Sequence, residues 1–405
     1  MLDVIIIGGG PAGNLAALNI AKSGFSVEVY DWRTKIGDKL CTGIIGQSCF
    51  NEFPPLQNDI YQSTSSANIV SPSGKNYLVN HKNPQAYVIN RISYVQSFAE
   101  KASNTGAIYH LNEKVVSLNI TDKEVSVVSE INGRQRTNIS KAVIIATGFG
   151  SPLIKMAGLG NSGSKKFLTG CQTIVYTEQL SRPTVFLGSQ VGHGSFGWLV
   201  PTQNNHALVG LATSHKLNGD MNNLKKILKS KGYLKKTESP EQRWGIPVSP
   251  STPTYSNRAL SVGDAAGLTK PTTGGGIYYS LISGQLAAQT LIDALRKDDL
   301  SSKQLKQYES QWKKILSNEI RLGNFARRVF ESLKDSQIEF LISKLMTDDV
   351  REDILESNEV SFDWHGKIIK SAFMHSNFGK YLGTLTPEFN QQPSDISPPG
   401  SIEVA

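Results

Sequence analysis

The chain begins with an apolar run that leads through glycines into a helix and then into a second strand. Val4–Ile7 is continuously apolar, as is typical of a strand covered on both faces. Residues 14–23 carry leucines at helical spacing, and residues 25–30 alternate before they reach Asp31. This strand–helix–strand order predicts the first unit of a parallel α/β sheet.

Apolar and alternating segments further along the chain predict many more strands and four longer helices. The strand-like segments are 69–78, 87–90, 107–111, 113–120, 125–130, 141–146, 173–176, 184–187, 197–200, 207–213, 243–248 and 259–262. The first two of these predict a small β-sheet. The helix-like segments are 92–103, 216–236, 277–296 and 301–355. In the last segment, a single buried stripe is predicted from the helical spacing of Leu305, Tyr308, Trp312, Ile315 and Leu316.

The glycines after the first strand match the dinucleotide-binding pattern G-x-G-x-x-G at Gly8, Gly10 and Gly13. The first glycine makes the tight turn, the second lets the backbone approach a pyrophosphate, and the third lets helix and strand pack closely. Asp31 ends the second strand, where its carboxylate can accept from ribose hydroxyls. The motif predicts dinucleotide binding but does not separate FAD from NAD(P).

A second glycine-rich helix start lies near the other end of the chain. A short strand is followed by Gly263–Gly267, which contains Asp264, and residues 274–276 are three glycines directly before the helix at Ile277. Free N–H groups at such a helix start favour an anion. Two glycine-cradled helix starts at opposite ends of the chain imply one extended ligand, and FAD has that shape.

Composition narrows the setting of the protein. The chain has 405 residues and three cysteines, which favours a reduced, cytoplasmic environment over a disulfide framework. No apolar run approaches the roughly 18–20 residues of a membrane span, and the first residues lack the basic start of a signal peptide. No metal-ligand pattern is predicted.

The formal charge is +8, and part of this excess lies in one lysine cluster. Its members are Lys225, Lys226, Lys229, Lys231, Lys235 and Lys236. Two explanations stay open, a solvated helix face or attraction to anionic lipid or an acidic redox partner. Nucleic acid is not expected, because no aromatic interleaving accompanies the lysines.

The order of these patterns predicts a domain organisation. Residues 1–168 are the first part of an FAD-binding domain, with a small β insertion at about 66–90. Residues 169–255 form a β-rich substrate domain, and 256–300 return to the FAD-binding domain. Residues 301–390 are helical, and the Pro/Ser-rich end, 391–405, is expected to be disordered.

Four segments together resemble the geranylgeranyl reductase family, flavoproteins with the para-hydroxybenzoate hydroxylase type of fold. They are Gly8–Gly13 with Asp31, the cysteine segment 39–43, the segment Phe196-Gly197-Trp198-Leu199-Val200-Pro201, and the glycine-rich segments 263–267 and 271–276. The chain departs from the family pattern where Leu40 replaces proline, Thr42 replaces glycine, Phe196 replaces tyrosine and Thr147 replaces an acidic residue.

The resemblance implies a two-dinucleotide-binding-type FAD fold and a set of site residues. The cofactor contacts would be Gly8, Gly10, Ala12, Gly13, Asp31, Cys41, Thr42, Arg91, Val115, Gly148, Asp264, Gly275, Gly276 and Ile277. Arg91 begins a predicted helix, where a cation is unfavourable for the dipole, so a phosphate partner or solvent exposure is expected. The substrate cavity would be lined by Phe196, Trp198, Pro201 and Trp244.

The activity that the resemblance implies is FAD-dependent reduction of C=C bonds in a geranylgeranyl chain. The substrate would be a phospholipid, a chlorophyll precursor or a quinone tail, with NADPH, ferredoxin or another carrier as electron donor and peripheral contact with the membrane. Cys41 and His193 are the candidate proton donors. The alternatives are a flavin monooxygenase or halogenase of the same fold, and an FAD-binding protein without turnover.

Overall fold

The computed structural model describes residues 1–39, 41–160, 166–178, 180–192, 194–347, 350–355, 357, 360–374 and 380. The helices are α1 Pro11–Lys22, α2 Gln47–Glu52, α3 Arg91–Asn104, α4 Leu153–Met156, α5 Asp220–Ser230, α6 Ile277–Arg296, α7 Ser302–Ser332, α8 Asp335–Leu345 and α9 Gly366–Met374. The strands are β1 Leu2–Ile7, β2 Val27–Asp31, β3 Ile44–Gly46, β4 Ile60–Thr64, β5 Ser66–Val70, β6 Asn76–Asn80, β7 Ala86–Ile89, β8 Ile108–Leu111, β9 Lys114–Ile120, β10 Val125–Ile131, β11 Arg134–Ile145, β12 Phe167–Tyr176, β13 Thr184–Leu187, β14 Phe196–Pro201, β15 His206–Thr213, β16 Lys236–Thr237, β17 Gln242–Pro247, β18 Tyr255–Ser256 and β19 Ala259–Ser261.

The first strand lies in the middle of a largely parallel sheet, as its apolar run predicts. β1 pairs in parallel with β2 on one side and with β11 on the other, so that Ile6 lies between Val29 and Ile144. The order β18-β19-β11-β1-β2-β8 brings the late strand β19 next to β11. The start of α6 therefore lies beside the start of α1, and the two helices pack against each other through Gly284, where a Cβ would meet the Ala12 backbone.

A second, mostly antiparallel sheet has the order β16-β12-β15-β14-β13-β5-β6, and β17 pairs with β12 on the same edge as β16. The strands β5 and β6 correct the prediction of a small sheet at 66–90. β5 pairs in parallel with β13, so both strands extend this second sheet, and only β7 joins β3 and β4 in a separate three-stranded sheet. Pairing between distant strands, which local alternation does not encode, decided this arrangement.

Two helical predictions are also corrected. The helix predicted at 216–236 is only α5, because Gly219 and Gly232 flank it with φ of +84° and +76° and interrupt helical geometry. In α7, Leu305, Tyr308, Trp312 and Leu316 are buried, whereas Ile315 is 43% exposed. The stripe on this helix is therefore narrower than the apolar pattern suggests. Among the described helices, none combines the length and apolarity that a membrane crossing requires.

Candidate functional site

A cavity of about 1480 Å³ lies between the two large sheets and is closed on one side by the C-terminal region. It brings together residues that are as much as 361 positions apart in the chain, from Ile7 to Ile368. The predicted site residues in its wall are Gly8, Gly10, Ala12, Asp31, Cys41, Thr42, Arg91, Val115, Gly148, Phe196, Trp198, Trp244, Asp264, Gly275, Gly276 and Ile277. Gly13 and Pro201 are not in this wall, and His193 lies outside the described residues.

The turn between β1 and α1 depends on its glycines. Gly8 has φ of +111°, and a Cβ there would lie 2.3 Å from the carbonyl oxygen of Ala146. A Cβ on Gly13 would lie 2.0 Å from the carbonyl oxygen of Gly8, so this residue serves the packing of helix on strand. Around Gly10 no heavy atom comes within 4 Å, which leaves open space for a ligand beside the backbone.

Asp31 is buried, and both of its carboxylate oxygens accept hydrogen bonds from neighbouring backbone N–H groups. Its Oδ2 accepts from the Gly9 backbone N–H at 2.8 Å, and its Oδ1 accepts from the Arg33 N–H at 2.9 Å. The carboxylate therefore holds the glycine turn to the end of β2. Contact of Asp31 with a ribose stays a prediction.

The opposite part of the wall carries positive charge. Arg91 is buried at the start of α3, where its guanidinium donates to the carbonyl oxygens of Gly37 and Lys39. Burial lowers the pKa of Arg91. Lys39 Nζ forms an ion pair with Asp264 Oδ2 at 2.7 Å. Among the described residues the Arg91 guanidinium donates to carbonyl oxygens rather than to a carboxylate, so its charge suits an anionic ligand.

The helix starts in the wall also suit an anion. Gly10 and Gly276 are the N-cap residues of α1 and α6, and neither helix has a side-chain cap or an acidic residue in its first turn. Their first N–H groups are therefore available to phosphate or other acceptor oxygens. Thr147, which also lines the cavity, has a buried Oγ1 without a hydrogen-bond partner among the described residues. Open space at Gly10, uncapped helix starts and an unpartnered hydroxyl together fit an extended dinucleotide.

The cysteine segment leads from this cradle toward the second sheet. Cys41 is partly buried in the cavity wall, and its Sγ accepts from the Gly43 N–H at 3.5 Å. Its carbonyl oxygen accepts from the side-chain amide of Gln172 at 3.5 Å. Leu40, which departs from the family pattern, lies outside the described residues.

Aromatic side chains of the second sheet form the wall beyond the cysteine segment. Trp198 is paired in register with Gly210, and Trp244 with Gly170. A Cβ on either glycine would come within 2.4 to 2.6 Å of the indole that covers it. The glycines therefore let both indoles lie flat across the sheet. The apolar wall continues past the aromatics with Ile69, Val79, Val185, Ile246 and Ile368.

One cluster of three polar residues in the wall was missed by sequence reasoning. They are Lys270, Asp363 and His365. Lys270 Nζ donates to the carbonyl oxygen of Phe362 at 2.8 Å and lies 3.4 Å from Asp363 Oδ1. Burial lowers the pKa of Lys270. The only signal in the sequence was the position of this lysine just before the glycine-rich helix start, since periodicity says nothing about Asp363.

His365 is held in its neutral form. Its Nε2 lies 3.0 Å from the carbonyl oxygen of Phe362, which only accepts, so Nε2 carries the proton. Its Nδ1 then accepts from Thr272 Oγ1 at 2.5 Å. Burial, with the nearby Lys270 charge, lowers the pKa of His365 from its usual 6.5 to about 3.

Comparisons with known proteins agree with this geometry. Residues 2–191 match the family described as pyridine nucleotide-disulphide oxidoreductase. The chain is 27% identical over 380 residues to digeranylgeranylglycerophospholipid reductase 1 of Methanococcoides burtonii, covering 91% of this chain and 93% of the relative.

Solved structures share the fold. A geranylgeranyl bacteriochlorophyll reductase-like protein of Thermoplasma acidophilum has a TM-score of 0.83 at 24% identity, covering 95% of this chain and 99% of the other. A halogenase in complex with FAD is less similar, with a TM-score of 0.65 at 15% identity and coverage of 96% and 95%. The two-dinucleotide-binding-type FAD fold predicted from the sequence is thereby confirmed.

Proposed function

This chain belongs to the geranylgeranyl reductase family of FAD-dependent oxidoreductases, and we propose that it saturates carbon–carbon double bonds in the prenyl chains of a geranylgeranyl glycerophospholipid. The lipid is chosen over a chlorophyll precursor or a quinone because the curated relatives that span most of the chain are named for such a phospholipid.

The observation that carries this proposal is the continuity of the cavity. One wall offers glycines, helix starts and cations to an anionic dinucleotide, and the same space continues between indoles and aliphatic side chains. Burial of a prenyl chain stabilises the complex by roughly 0.8 kcal/mol per CH₂. This contribution is sufficient to hold a substrate that has no polar group near its double bonds.

The residues divide the task between cofactor and substrate. FAD, when bound, supplies the hydride, and the uncapped starts of α1 and α6 together with Arg91 hold its charged portion. Trp198 and Trp244 orient the prenyl chain and exclude water. An isolated alkene is a poor electrophile, so the second carbon needs a proton from a positioned acid. We assign that role to Cys41, whose partly buried thiol lies in the cavity wall.

The lysine cluster contributes less to an anionic partner than its charge suggests. Within it, Lys225 pairs with Glu241 at 2.7 Å, Lys235 with Glu178 at 3.6 Å and Lys236 with Glu238 at 3.2 Å. We propose instead that lipid enters beside Phe149 and Phe167. These rings lie 5.1 Å apart, are 41% and 47% exposed, and Phe149 lines the cavity. Exposed aromatic rings suit the interface of a bilayer.

An anaerobic single-turnover experiment tests the function. The FAD-loaded protein is chemically reduced, mixed with digeranylgeranylglycerophospholipid, and followed by flavin absorbance and product mass. We expect reoxidation of the flavin coupled to a gain of two hydrogens per double bond, with the fully saturated lipid inert as control. Reduced flavin that persists until oxygen is admitted contradicts the proposal and favours a monooxygenase or halogenase. If the reduced flavin reacts neither with the lipid nor with oxygen, the result favours an FAD-binding protein without turnover.

A further inference from the structure

Two loops of the FAD cradle meet a third segment that the proposed chemistry does not use. The cysteine loop (residues 41–46) includes the short strand β3 and leads into α2, and the glycine loop (residues 270–276) leads into α6. Both contact the short stretch Phe362–Gly366, which precedes α9 and is here named the C-terminal clasp. The clasp lies some ninety residues from the glycine loop in sequence and over three hundred from the cysteine loop.

On the side of the cysteine loop, the contact is made by a carboxylate. Asp363 Oδ2 accepts from the Cys49 N–H at 2.9 Å, and its Oδ1 accepts from the Gly46 N–H at 3.3 Å. A Cβ on Gly46 would lie 2.3 Å from this carboxylate, so only glycine permits the approach. Trp364 adds a hydrogen bond from its indole N–H to Ser48 Oγ at 3.2 Å.

On the side of the glycine loop, the same carboxylate faces a cation. Lys270 Nζ lies 3.4 Å from Asp363 Oδ1, and the side chains of both residues are buried. The backbone of Lys270 is in turn tied to the helix start, because its N–H donates to the Gly275 carbonyl oxygen at 2.9 Å. His365 adds the hydrogen bond with Thr272.

A buried ion pair contributes little net stability, but it permits few alternative arrangements, because each charge needs its partner. We propose that the C-terminal clasp is a positioning element of the flavin site, and that Asp363 is the positioning residue that holds the cysteine loop at a set distance from the glycine loop. The proposal rests on FAD in the cavity, which the proposed function also requires, but not on the identity of the prenyl lipid.

Thiol reactivity reports on this positioning without substrate turnover. Cys41 is partly exposed, whereas Cys49 and Cys171 are fully buried. The FAD-loaded protein is treated with iodoacetamide, and each cysteine is quantified by peptide mass mapping. In Asp363→Asn we expect Cys41 to react roughly tenfold faster. Loss of the charge-assisted hydrogen bonds that hold the cysteine loop should raise the fraction of protein with an open loop by about that factor. Cys171 should stay unreactive, and FAD should remain bound.

A matched control is Glu339→Gln. Glu339 also joins the C-terminal region to a distant loop, since its Oε2 accepts from the Ser73 N–H at 2.9 Å, but it does not contact the cysteine loop. This variant should leave the Cys41 rate unchanged. A wild-type rate at Cys41 in Asp363→Asn with FAD bound overturns the proposal, as does an equal acceleration in both variants.

A second variant covers the case in which Asp363→Asn unfolds, which labelling of Cys171 would reveal. The double variant Lys270→Met with Asp363→Asn leaves no unpaired buried charge at this position. Acceleration at Cys41 with Cys171 protected supports the clasp, and a wild-type rate overturns it. Because no lipid is present in these experiments, failure of lipid reduction leaves their outcome unaffected.

Discussion

The indole N–H of Trp198 donates to the side-chain oxygen of Gln172 at 3.1 Å, and the amide of the same glutamine reaches the Cys41 carbonyl oxygen at 3.5 Å. Gln172 is almost fully buried in β12. One side chain thus connects the aromatic wall of the cavity to the cysteine loop.

Replacement of Gln172 should break the link between the aromatic wall and the cysteine loop. In Gln172→Met, the buried Trp198 N–H loses its acceptor, which costs about 1–3 kcal/mol of unfolding free energy. We expect a higher KM for the prenyl lipid at unchanged FAD content, measured by steady-state kinetics and flavin absorbance. Gln203→Met, at an exposed turn position, is the control and should change neither. Unaltered kinetics in Gln172→Met would show that the link has no part in substrate binding.

The glycine beneath Trp198 should limit the width of the cavity. In Gly210→Ala, the new Cβ would lie 2.4 Å from the Trp198 indole and 2.6 Å from the Cys171 carbonyl oxygen, so both the ring and the neighbouring strand must shift. Overpacking of this kind costs about 1–3 kcal/mol. We expect weaker lipid binding, measured by titration of the oxidised protein. In a Trp198→Leu background the same alanine should weaken lipid binding less, because only the contact with the Cys171 carbonyl oxygen remains. An equal loss of lipid binding in both backgrounds would contradict the assignment of that loss to the indole.

Substitutions in the FAD cradle should lower the FAD content of the protein, whereas substitution of the proposed acid should not. Asp31→Ala frees the Gly9 and Arg33 N–H groups, and Asp264→Ala removes a carboxylate of the cavity wall that is predicted to contact the cofactor, so both variants should lose FAD on gel filtration. Cys41→Ala should keep FAD, because the backbone contacts of its loop remain, and should lower the rate of lipid reduction by roughly 10²–10⁴-fold. A Cys41→Ala protein purified without FAD would contradict the placement of this loop.

The neutral His365 should make the fold sensitive to acid. Its pKa of about 3 lies below the usual 6.5, so below pH 6.5 the unfolded chain binds a proton that the folded chain does not. Stability is therefore fully present above pH 6.5 and is lost as the pH falls toward 3. His365→Gln retains an acceptor for Thr272. Between pH 7.5 and pH 5 its free energy of unfolding should fall by about 1–2 kcal/mol less than that of the wild type. Urea unfolding at both pH values measures this, and parallel curves would exclude His365 as the cause.

The exposed aromatic pair should govern contact with lipid. We expect Phe149→Ser with Phe167→Ser to sediment less with anionic phospholipid vesicles than wild type, by roughly tenfold in partition coefficient. Phe340→Ser, at an exposed ring on α8, is the control. Lys226→Ala with Lys229→Ala tests the competing lysine cluster, and a larger loss in that variant would move the lipid contact to α5.

The sequence alone determined the nucleotide-binding half of the protein. Val4–Ile7, the glycine pattern at Gly8–Gly13 and the second glycine-rich helix start each depend on residues close together in the chain. Local steric and hydrogen-bonding rules therefore predict them, and the prediction of FAD follows from two such helix starts. The cysteine and tryptophan segments then narrowed the family.

Tertiary structure alone decided which distant residues share a wall. β5 and β6 joined the second sheet because strand pairing depends on partners more than a hundred residues away, such as β13. Lys270 contacts Asp363, and Gln172 contacts both Trp198 and Cys41. These contacts arise from tertiary packing, which no periodic pattern in the sequence indicates. Hydrophobic spacing records which face of an element is covered, but it does not record what covers it.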